Sequence, residues 1–345
     1  MEKTGIFIII NIIRLYHDII CGDFMIIDFN KPIYTYEKFI DDAIALSKEY
    51  SNILEYVTIG KSHDNRDIAL LKLGKGKKHM FVCGGVHGRE SINPIVLLRI
   101  IELYADMYSN YRQLKDEIIS KMYNPTKNLI SEYEKMIFES CIYELLQTYT
   151  ILFVPLLNPD GYVISLEGYD SIRDEKLKSL CKDMNLPYHE WKYNARGIDI
   201  NRNFPSKLWK AKFEGDYPAS ENETKALIKL FHDYKSLGFL DFHSRGKQIF
   251  YYRSQMPDSY NNKLYNIALR LKDVTYYELV APEQEIEPDD SGGNTVHYYT
   301  EYIGKPALTI ETVDEDASFP LDFTYRDITF NEIMPVIYEF ACMII

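Results

Sequence analysis

No stretch of this sequence approaches the roughly 20 consecutive apolar residues that a membrane-spanning helix needs, so a membrane-spanning protein is not expected. Lys and Arg are outnumbered by Asp and Glu, 39 to 51, leaving a formal charge of −12. Affinity for phosphates comes from clustered Lys and Arg, which sets a nucleic-acid partner aside. Cysteine is sparse: Cys21, Cys83, Cys141, Cys181 and Cys342 are scattered, odd in number and without CxxC spacing, so neither a disulfide framework nor a thiolate zinc site is indicated. Reduced thiols fit a cytoplasmic protein. Internal repeats, low-complexity tracts and Pro/Gly/Ser linkers are missing as well, which leaves nothing to divide 345 residues into separate units.

What is present is ordinary for a globular enzyme: 46% hydrophobic and 26% charged residues. The first residues are ambiguous. Lys3 precedes an apolar run from Ile6 to Ile13 that could serve as the core of an export signal, but Asn11 interrupts it, Arg14 follows it and no small-residue cleavage site comes after. Residues 1–30 are therefore read as an N-terminal extension of uncertain status, with export as the alternative to a cytoplasmic location, and 31–345 as one catalytic domain.

Tyr36 to Tyr50 carries apolar residues at helical spacing, and Tyr56–Ile59, Ile68–Leu73 and His79–Cys83 read as successive strands separated by turn residues. Ile95–Met107 is helical by pattern, Lys115–Gln147 is a helical insert, and Tyr149–Leu157 is a β-rich run closed by Asn158-Pro159-Asp160-Gly161. Glu221–Tyr234 is expected to be a helix with Ser220 as N-cap, Glu223 completing a capping box and Gly238 ending it. Phe239–Phe242, Gln248–Tyr252 and Ala307–Ile310 are strand-like. Residues 110–146 and 165–190 are expected to add helices at the rim. Alternating helices and strands predict an α/β fold: a single domain with a mixed, twisted sheet between helices and a site at the carboxyl ends of central strands.

Several polar residues stand at those strand ends. His87-Gly88-Arg89-Glu90 follows a strand and a double glycine, offering zinc an imidazole nitrogen and a carboxylate oxygen; with eight histidines in the chain, one such HxxE is weak alone. His243, where Leu240-Asp241-Phe242 meets Ser244-Arg245-Gly246, is the best candidate for a third ligand. His17, His63, His79, His189 and His232 lie in charged or amphipathic contexts typical of solvated or core histidines, while His297, beside two tyrosines, is less easily dismissed. Asn201-Arg202 could bind a carboxylate through an amide and a guanidinium fork, or Arg202 could simply tie its loop to an internal acid. Asp199 could accept from a ligand imidazole and fix its tautomer. Glu311 ends an apolar strand, where burial would raise its pKa toward that of a useful base, though taken alone the residue reads more simply as a charge at the sheet edge.

In order and approximate spacing, His87-Gly88-Arg89-Glu90, Asn158 to Gly161, Gly197 to Phe204, His243-Ser244, Ser291-Gly292-Gly293 and Thr309-Ile310-Glu311 resemble the M14 zinc carboxypeptidases, from about Tyr36 to the C-terminus. The resemblance implies one zinc ion on His87, Glu90 and His243, Glu311 as the catalytic carboxylate, and a peptide substrate held by its free carboxylate through Arg89, Asn201 and Arg202. It also implies an oxyanion-stabilising cation before the Gly-x-Asp-x-Asn-Arg stretch; Lys192 is preferred over Arg196, which adjoins the glycine turn and is read as a further substrate-binding residue. A departure is Glu285-Ile286-Glu287-Pro288-Asp289-Asp290, where digestive members place a mobile tyrosine before Ser-Gly-Gly. Trp191 to Pro205 and His243-Ser244-Arg245-Gly246 look like the bacterial branch that cuts γ-D-glutamyl-diamino-acid bonds, with Glu287, Asp289 or Asp290 available to a distal ammonium. The competing expectations are a zinc amidohydrolase of the aspartoacylase type and a catalytically silent wall-peptide binding protein.

Overall fold

The computed structural model describes residues 25–122, 129–285 and 292–344, with the backbone alone for 112–122 and 129–135. Helix α1 (Tyr36–Glu49) starts at Thr35, whose side chain accepts from the Lys38 amide, and buries Phe39, Ala43 and Leu46 on one stripe, as the spacing predicts. The strands are β1 (Leu54–Lys61), β2 (Asp67–Gly74), β3 (Lys78–Gly84), β4 (Tyr149–Val154), β5 (Ser236–Ser244), β6 (Gln248–Phe250), β7 (Glu278–Leu279) and β8 (Ala307–Thr312). They form one 8-stranded sheet in the order β1-β2-β4-β3-β5-β8-β6-β7.

The four central strands β4, β3, β5 and β8 run parallel, and β2 and β6 flank them antiparallel. Parallel strands covered on both faces need continuous apolar runs, and the buried stretches of β3, β5 and β8 supply them. One face packs on α1, on α2 (Ile92–Met122), α3 (Leu129–Thr148), α7 (Asp258–Thr275), α9 (Tyr325–Ile333) and α10 (Val336–Met343). The other packs on α6 (Asn222–Asp233) and α8 (Thr295–Ile303). This is the expected mixed α/β architecture. Helices α4 (Pro159–Glu167) and α5 (Glu175–Asp183) lie between β4 and α6 in the chain. Among the described residues, no helix is long and apolar enough to cross a membrane.

Three local expectations are corrected. Ser220 caps no helix: its hydroxyl donates to the Glu221 carboxylate at 2.7 Å, because a fully buried carboxylate takes any donor in reach, and Glu223 is buried instead of folding back over the helix start. Gly238 lies inside β5, where a Cβ would come within 2.7 Å of the Phe340 ring; it is a close-packing glycine and not a helix stop. The 115–147 insert is not a separate unit: its start continues α2, which runs unbroken from Ile92 to Met122, and the rest enters α3, with residues 123–128 outside the described set.

The topology gathers the chemistry. β3, β5 and β8 are parallel neighbours, so their carboxyl ends open on one edge, and the register sets His243 beside Glu311.

Candidate metal centre and active site

The turn after β3 delivers His87 and Glu90, with the Glu90 amide donating to the His87 carbonyl at 3.2 Å. The turn is clamped from below. Asn158 Nδ2 donates to the Val86 and Tyr193 carbonyls, each at 3.1 Å, and the Gly88 amide donates to the Lys192 carbonyl at 3.1 Å. A Cβ on Gly88 would lie 2.2 Å from the Gly161 carbonyl oxygen, so the two loops can touch here only with a glycine at 88. Asn158-Pro159-Asp160-Gly161 is thus a brace: Asn158 caps α4, and Asp160 accepts from Arg66 at 2.9 Å and Ser62 at 2.7 Å in the interior.

Glu90 lies between two imidazoles. Its Oε1 is 2.6 Å from His87 Nδ1, and its Oε2 is 3.2 Å from His243 Nδ1 and accepts from the Ser244 amide at 3.1 Å. The far nitrogens face carboxylates: His87 Nε2 is 3.3 Å from Asp199 and His243 Nε2 is 3.0 Å from Asp241. Each ring therefore turns Nδ1 inward while a carboxylate orients its other edge, the arrangement that fixes a metal-ligating histidine. Burial opposes charge on Glu90, but His87 and His243 outweigh it and hold the carboxyl down to about 2. Burial likewise opposes protonation of His243, yet Asp241 and Glu90 push its pKa well above the ordinary range. For His87, Glu90 and Asp199 overcome burial in the same direction.

The ligand atoms of His87, Glu90 and His243 lie within 4.8 Å of one another. Acids on both sides drive positive charge onto the inward nitrogens, and a divalent cation satisfies the same field while releasing those protons. Two imidazoles and one carboxylate form a donor set that zinc accepts in catalytic sites. The three residues fit the ion, and the structure brings together the set named from the sequence.

Asp241 was missed there. It accepts from the Thr295 hydroxyl as well as facing His243, and its signal was legible: an acid two residues before His243 in a buried strand must share its face. Asn93 was missed too; it donates to the His243 carbonyl at 2.7 Å and accepts from the Thr312 hydroxyl at 2.9 Å, locking β5 to β8 next to Glu311. Nothing in its helical context marks it.

Glu311 keeps part of its surface accessible, though densely surrounded by protein. Burial raises its pKa most, His243 and His87 lower it, and Glu90 and Asp241 raise it, with a net value of about 7. Asp199 is the reverse: burial raises it, but His87, Lys192 and Arg202 drive it well below the ordinary range. Lys192 Nζ lies 2.7 Å from Asp199, so a relay runs from Lys192 through Asp199 to His87.

Asn201 and Arg202 form a short 3-10 turn, Ile200–Arg202, started by Asp199 accepting from the Asn201 amide at 3.0 Å. Asn201 Oδ1 accepts from the Thr295 amide at 3.1 Å, and the Phe204 amide donates to the Gly293 carbonyl at 2.8 Å, so the segment after Ser291 is stitched to this arch. Arg89 stacks on Phe319, 4.4 Å from guanidinium carbon to ring centre. Glu287, Asp289, Asp290 and Ser291 lie outside the described residues.

Arg196 is elsewhere. Its Nη1 is 3.0 Å from Glu221, within a second cluster of His63, Glu221 and Glu223. His63, read as a solvated or core histidine, is 3.1 Å from Glu221. Asn194 Nδ2 donates to Glu221 at 2.7 Å and to Glu223 at 3.3 Å, so with the Arg196 guanidinium these carboxylates already have protein donors as partners. This cluster is a buried brace.

Within it, burial raises the Glu223 pKa from the ordinary 4.5 to about 7, with Asp160 adding to the effect. A raised value means folding favours the protonated form: the stabilisation is complete below about 4.5 and is lost as pH rises through about 7. Glu223→Gln should therefore match the parent protein in thermal denaturation near about pH 5 and be more stable near about pH 8, by on the order of 3 kcal/mol.

Residues 39–319 match the family model described as zinc carboxypeptidase. The chain belongs to the zinc carboxypeptidase family. Among curated proteins it is 22% identical over 231 residues to gamma-D-glutamyl-L-diamino acid endopeptidase 1 of Lysinibacillus sphaericus, covering 63% of this chain and 52% of that one. It is 24% identical over 244 residues to mouse carboxypeptidase A2, covering 68% and 51%. An inactive metallocarboxypeptidase, ECM14 of Paracoccidioides brasiliensis, is 25% identical over 302 residues, covering 74% and 44%. The chain thus spans about half the length of the curated relatives it matches. Among solved structures, thrombin-activatable fibrinolysis inhibitor superposes with a TM-score of 0.68 at 17% identity over 97% of this chain and 80% of that one. Carboxypeptidase A of Helicoverpa armigera gives 0.63 at 18% identity over 91% and 75%. Both structures share the fold of this chain.

Proposed function

We propose that this chain is a zinc metallopeptidase that hydrolyses an amide bond beside a residue bearing a free carboxylate, the bond being γ-D-glutamyl-diaminopimelate in cell-wall peptides. The observation that carries the reading is Glu311, a carboxylate of raised pKa, standing in register beside His243 at the edge of the His87-Glu90-His243 donor set.

His87, Glu90 and His243 would hold the ion, which when bound supplies acidification of a water and polarisation of the scissile carbonyl. Glu311 takes a proton from the attacking water. As the water oxygen bonds to the carbonyl carbon and the carbon–nitrogen bond breaks, Glu311 returns that proton to the leaving amine. Asn201 and Arg202 anchor the substrate carboxylate through amide and guanidinium donors, and Arg89 offers a second cation at the same edge. Lys192, partly exposed and held by Asp199, offsets charge developing on the carbonyl oxygen.

That last role separates two cations by magnitude. Lys192→Ala should lower kcat by roughly 10²–10³-fold, the range for losing one oxyanion donor. Arg196→Ala should change kcat by no more than about twofold, since its partner Glu221 lies outside the site. Steady-state kinetics on both variants checks the assignment, and equal losses would contradict it.

Support for the wall-peptide bond is the relative named as a gamma-D-glutamyl-L-diamino acid endopeptidase, together with the stretch Trp191 to Pro205. The test is release of diaminopimelate from L-Ala-γ-D-Glu-meso-diaminopimelate, followed by mass spectrometry with and without a chelator. Chelator-sensitive release supports the reading; no release from zinc-loaded protein sinks the substrate. Because one relative is named inactive, simple C-terminal peptides and N-acyl amino acids belong in the same assay, where cleavage of neither would favour a silent binding protein.

A further inference from the structure

Lys192, Asp199, Asn201 and Arg202 lie on one stretch whose only regular element is the turn Ile200–Arg202. Such irregular backbone has no ladder of its own, so side chains must take up its polar groups and set its position. Two buried asparagines do this. The Asn194 amide donates to the Ile198 carbonyl at 3.0 Å, and its own carbonyl accepts from the Gly197 amide at 3.1 Å. Its Oδ1 accepts from the Arg196 and Ile198 amides at 3.0 and 3.1 Å. These four bonds fold the chain between Lys192 and Asp199 into a closed loop, and Lys192 Nζ meets Asp199 at 2.7 Å across it. Asn194 Nδ2 then reaches out of the loop to Glu221 at 2.7 Å.

Asn203, the residue after Arg202, holds the other end. Its Oδ1 accepts from the Glu221 amide at 3.1 Å, its Nδ2 donates to the Ser220 hydroxyl at 2.8 Å, and its carbonyl accepts from the Ala219 amide at 2.6 Å. Ser220 and Glu221 lead directly into α6, which packs on the sheet through Leu227, Leu230 and Phe231. Both ends of the stretch are therefore pinned to the same two residues, at the head of a helix fixed to the core.

We propose that Asn194 and Asn203 are positioning residues that divide one platform, Ser220-Glu221, between the two tasks of the site. Asn194 fixes Lys192 against Asp199, and so places both the cation at the carbonyl oxygen and the carboxylate behind His87. Asn203 fixes the arch of Asn201 and Arg202 that takes the substrate carboxylate. The inference rests on the peptidase reading for the roles of Lys192 and Arg202, whereas the link from Asn194 through Asp199 to His87 concerns zinc alone.

Serine at either position keeps a hydroxyl for the nearby backbone but is too short to span to the platform. On L-Ala-γ-D-Glu-meso-diaminopimelate, Asn194→Ser should lower kcat by roughly 10–10²-fold with KM within about twofold, the pattern of a displaced catalytic group. Asn203→Ser should do the opposite and raise KM by about tenfold with kcat near the parental value, because the carboxylate anchor acts on bound substrate and transition state alike. In a Lys192→Ala background the Asn194→Ser loss should shrink to less than about twofold, since the cation it places is gone. Titration against a competing chelator needs no turnover: Asn194→Ser should weaken zinc binding by about threefold or more, short of the roughly 10–100-fold for losing such a partner outright, and Asn203→Ser should leave it unchanged. If Asn194→Ser fails to fold, Asn194→Asp keeps the acceptor for the loop amides, loses only the donor to Glu221 and carries the same expectations. Kinetics and zinc affinity that fall alike in both variants, or an Asn194 loss of undiminished size without Lys192, overturn the proposal. The zinc difference in a protein that cleaves no amide bond upholds the platform and removes the peptidase reading.

Discussion

Glu311→Gln is expected to lower kcat by roughly 10²–10⁴-fold, the contribution of a positioned general acid–base, while substrate still binds. The amide keeps the shape of the carboxyl but cannot take a proton from water at neutral pH. Its neighbours Thr312 and Asn93 hold β5 and β8 through hydrogen bonds that do not involve residue 311, so the fold and the metal ligands should survive. The readout is a split: kcat falls, whereas KM and zinc content stay near parental values. The pH profile carries the same assignment. Without metal the Glu311 carboxyl sits at about 7, and a nearby divalent cation favours its ionised form. The acid limb of kcat/KM should therefore lie below about 7 and above the ordinary 4.5, with activity rising as Glu311 loses its proton. A Glu311→Gln enzyme of undiminished kcat would remove this residue from the chemistry.

Glu90→Ala should abolish zinc retention and turnover together. Glu90 holds both inward imidazole nitrogens and the Ser244 amide, so its loss removes one ligand and the partner that aligns the other two. Asp241→Asn makes the graded comparison. It leaves all three ligands but weakens the acceptor behind His243 Nε2, and should cost about 10–100-fold in zinc affinity, the usual cost of losing such a partner. Titration against a competing chelator measures both. The zinc-dependent rise in Tm follows the same order, full in the parent, reduced in Asp241→Asn and absent in Glu90→Ala. A Glu90→Ala protein that keeps one tightly held zinc would contradict the site.

Much of this was legible in the sequence for a physical reason. Continuous apolar strands ending in polar residues announce a parallel sheet with its chemistry at one edge, which made His87, Glu90, His243 and Glu311 candidates; the resemblance of six motifs, in order, to the zinc carboxypeptidases is what assigned them as ligands and base. The supports were harder to see. Asn93, Asn158 and Glu223 act through contacts more than 20 positions away in sequence, and no local period encodes them. Ser220 and Glu223 matched a capping box, but the need of buried Glu221 for donors overrode that local preference. Lys192 was preferred over Arg196 only because Arg196 adjoins the glycine turn; the fold adds that Arg196 faces Glu221 and Lys192 faces Asp199.

The central claim is that one zinc ion sits among His87, Glu90 and His243. Anomalous diffraction at the zinc edge on crystals of the zinc-loaded protein tests it most directly. The account predicts a single strong peak in contact with His87 Nδ1, the Glu90 carboxylate and His243 Nδ1. A peak at His63, Glu221 and Glu223 instead, or no peak between the two imidazoles, would contradict it.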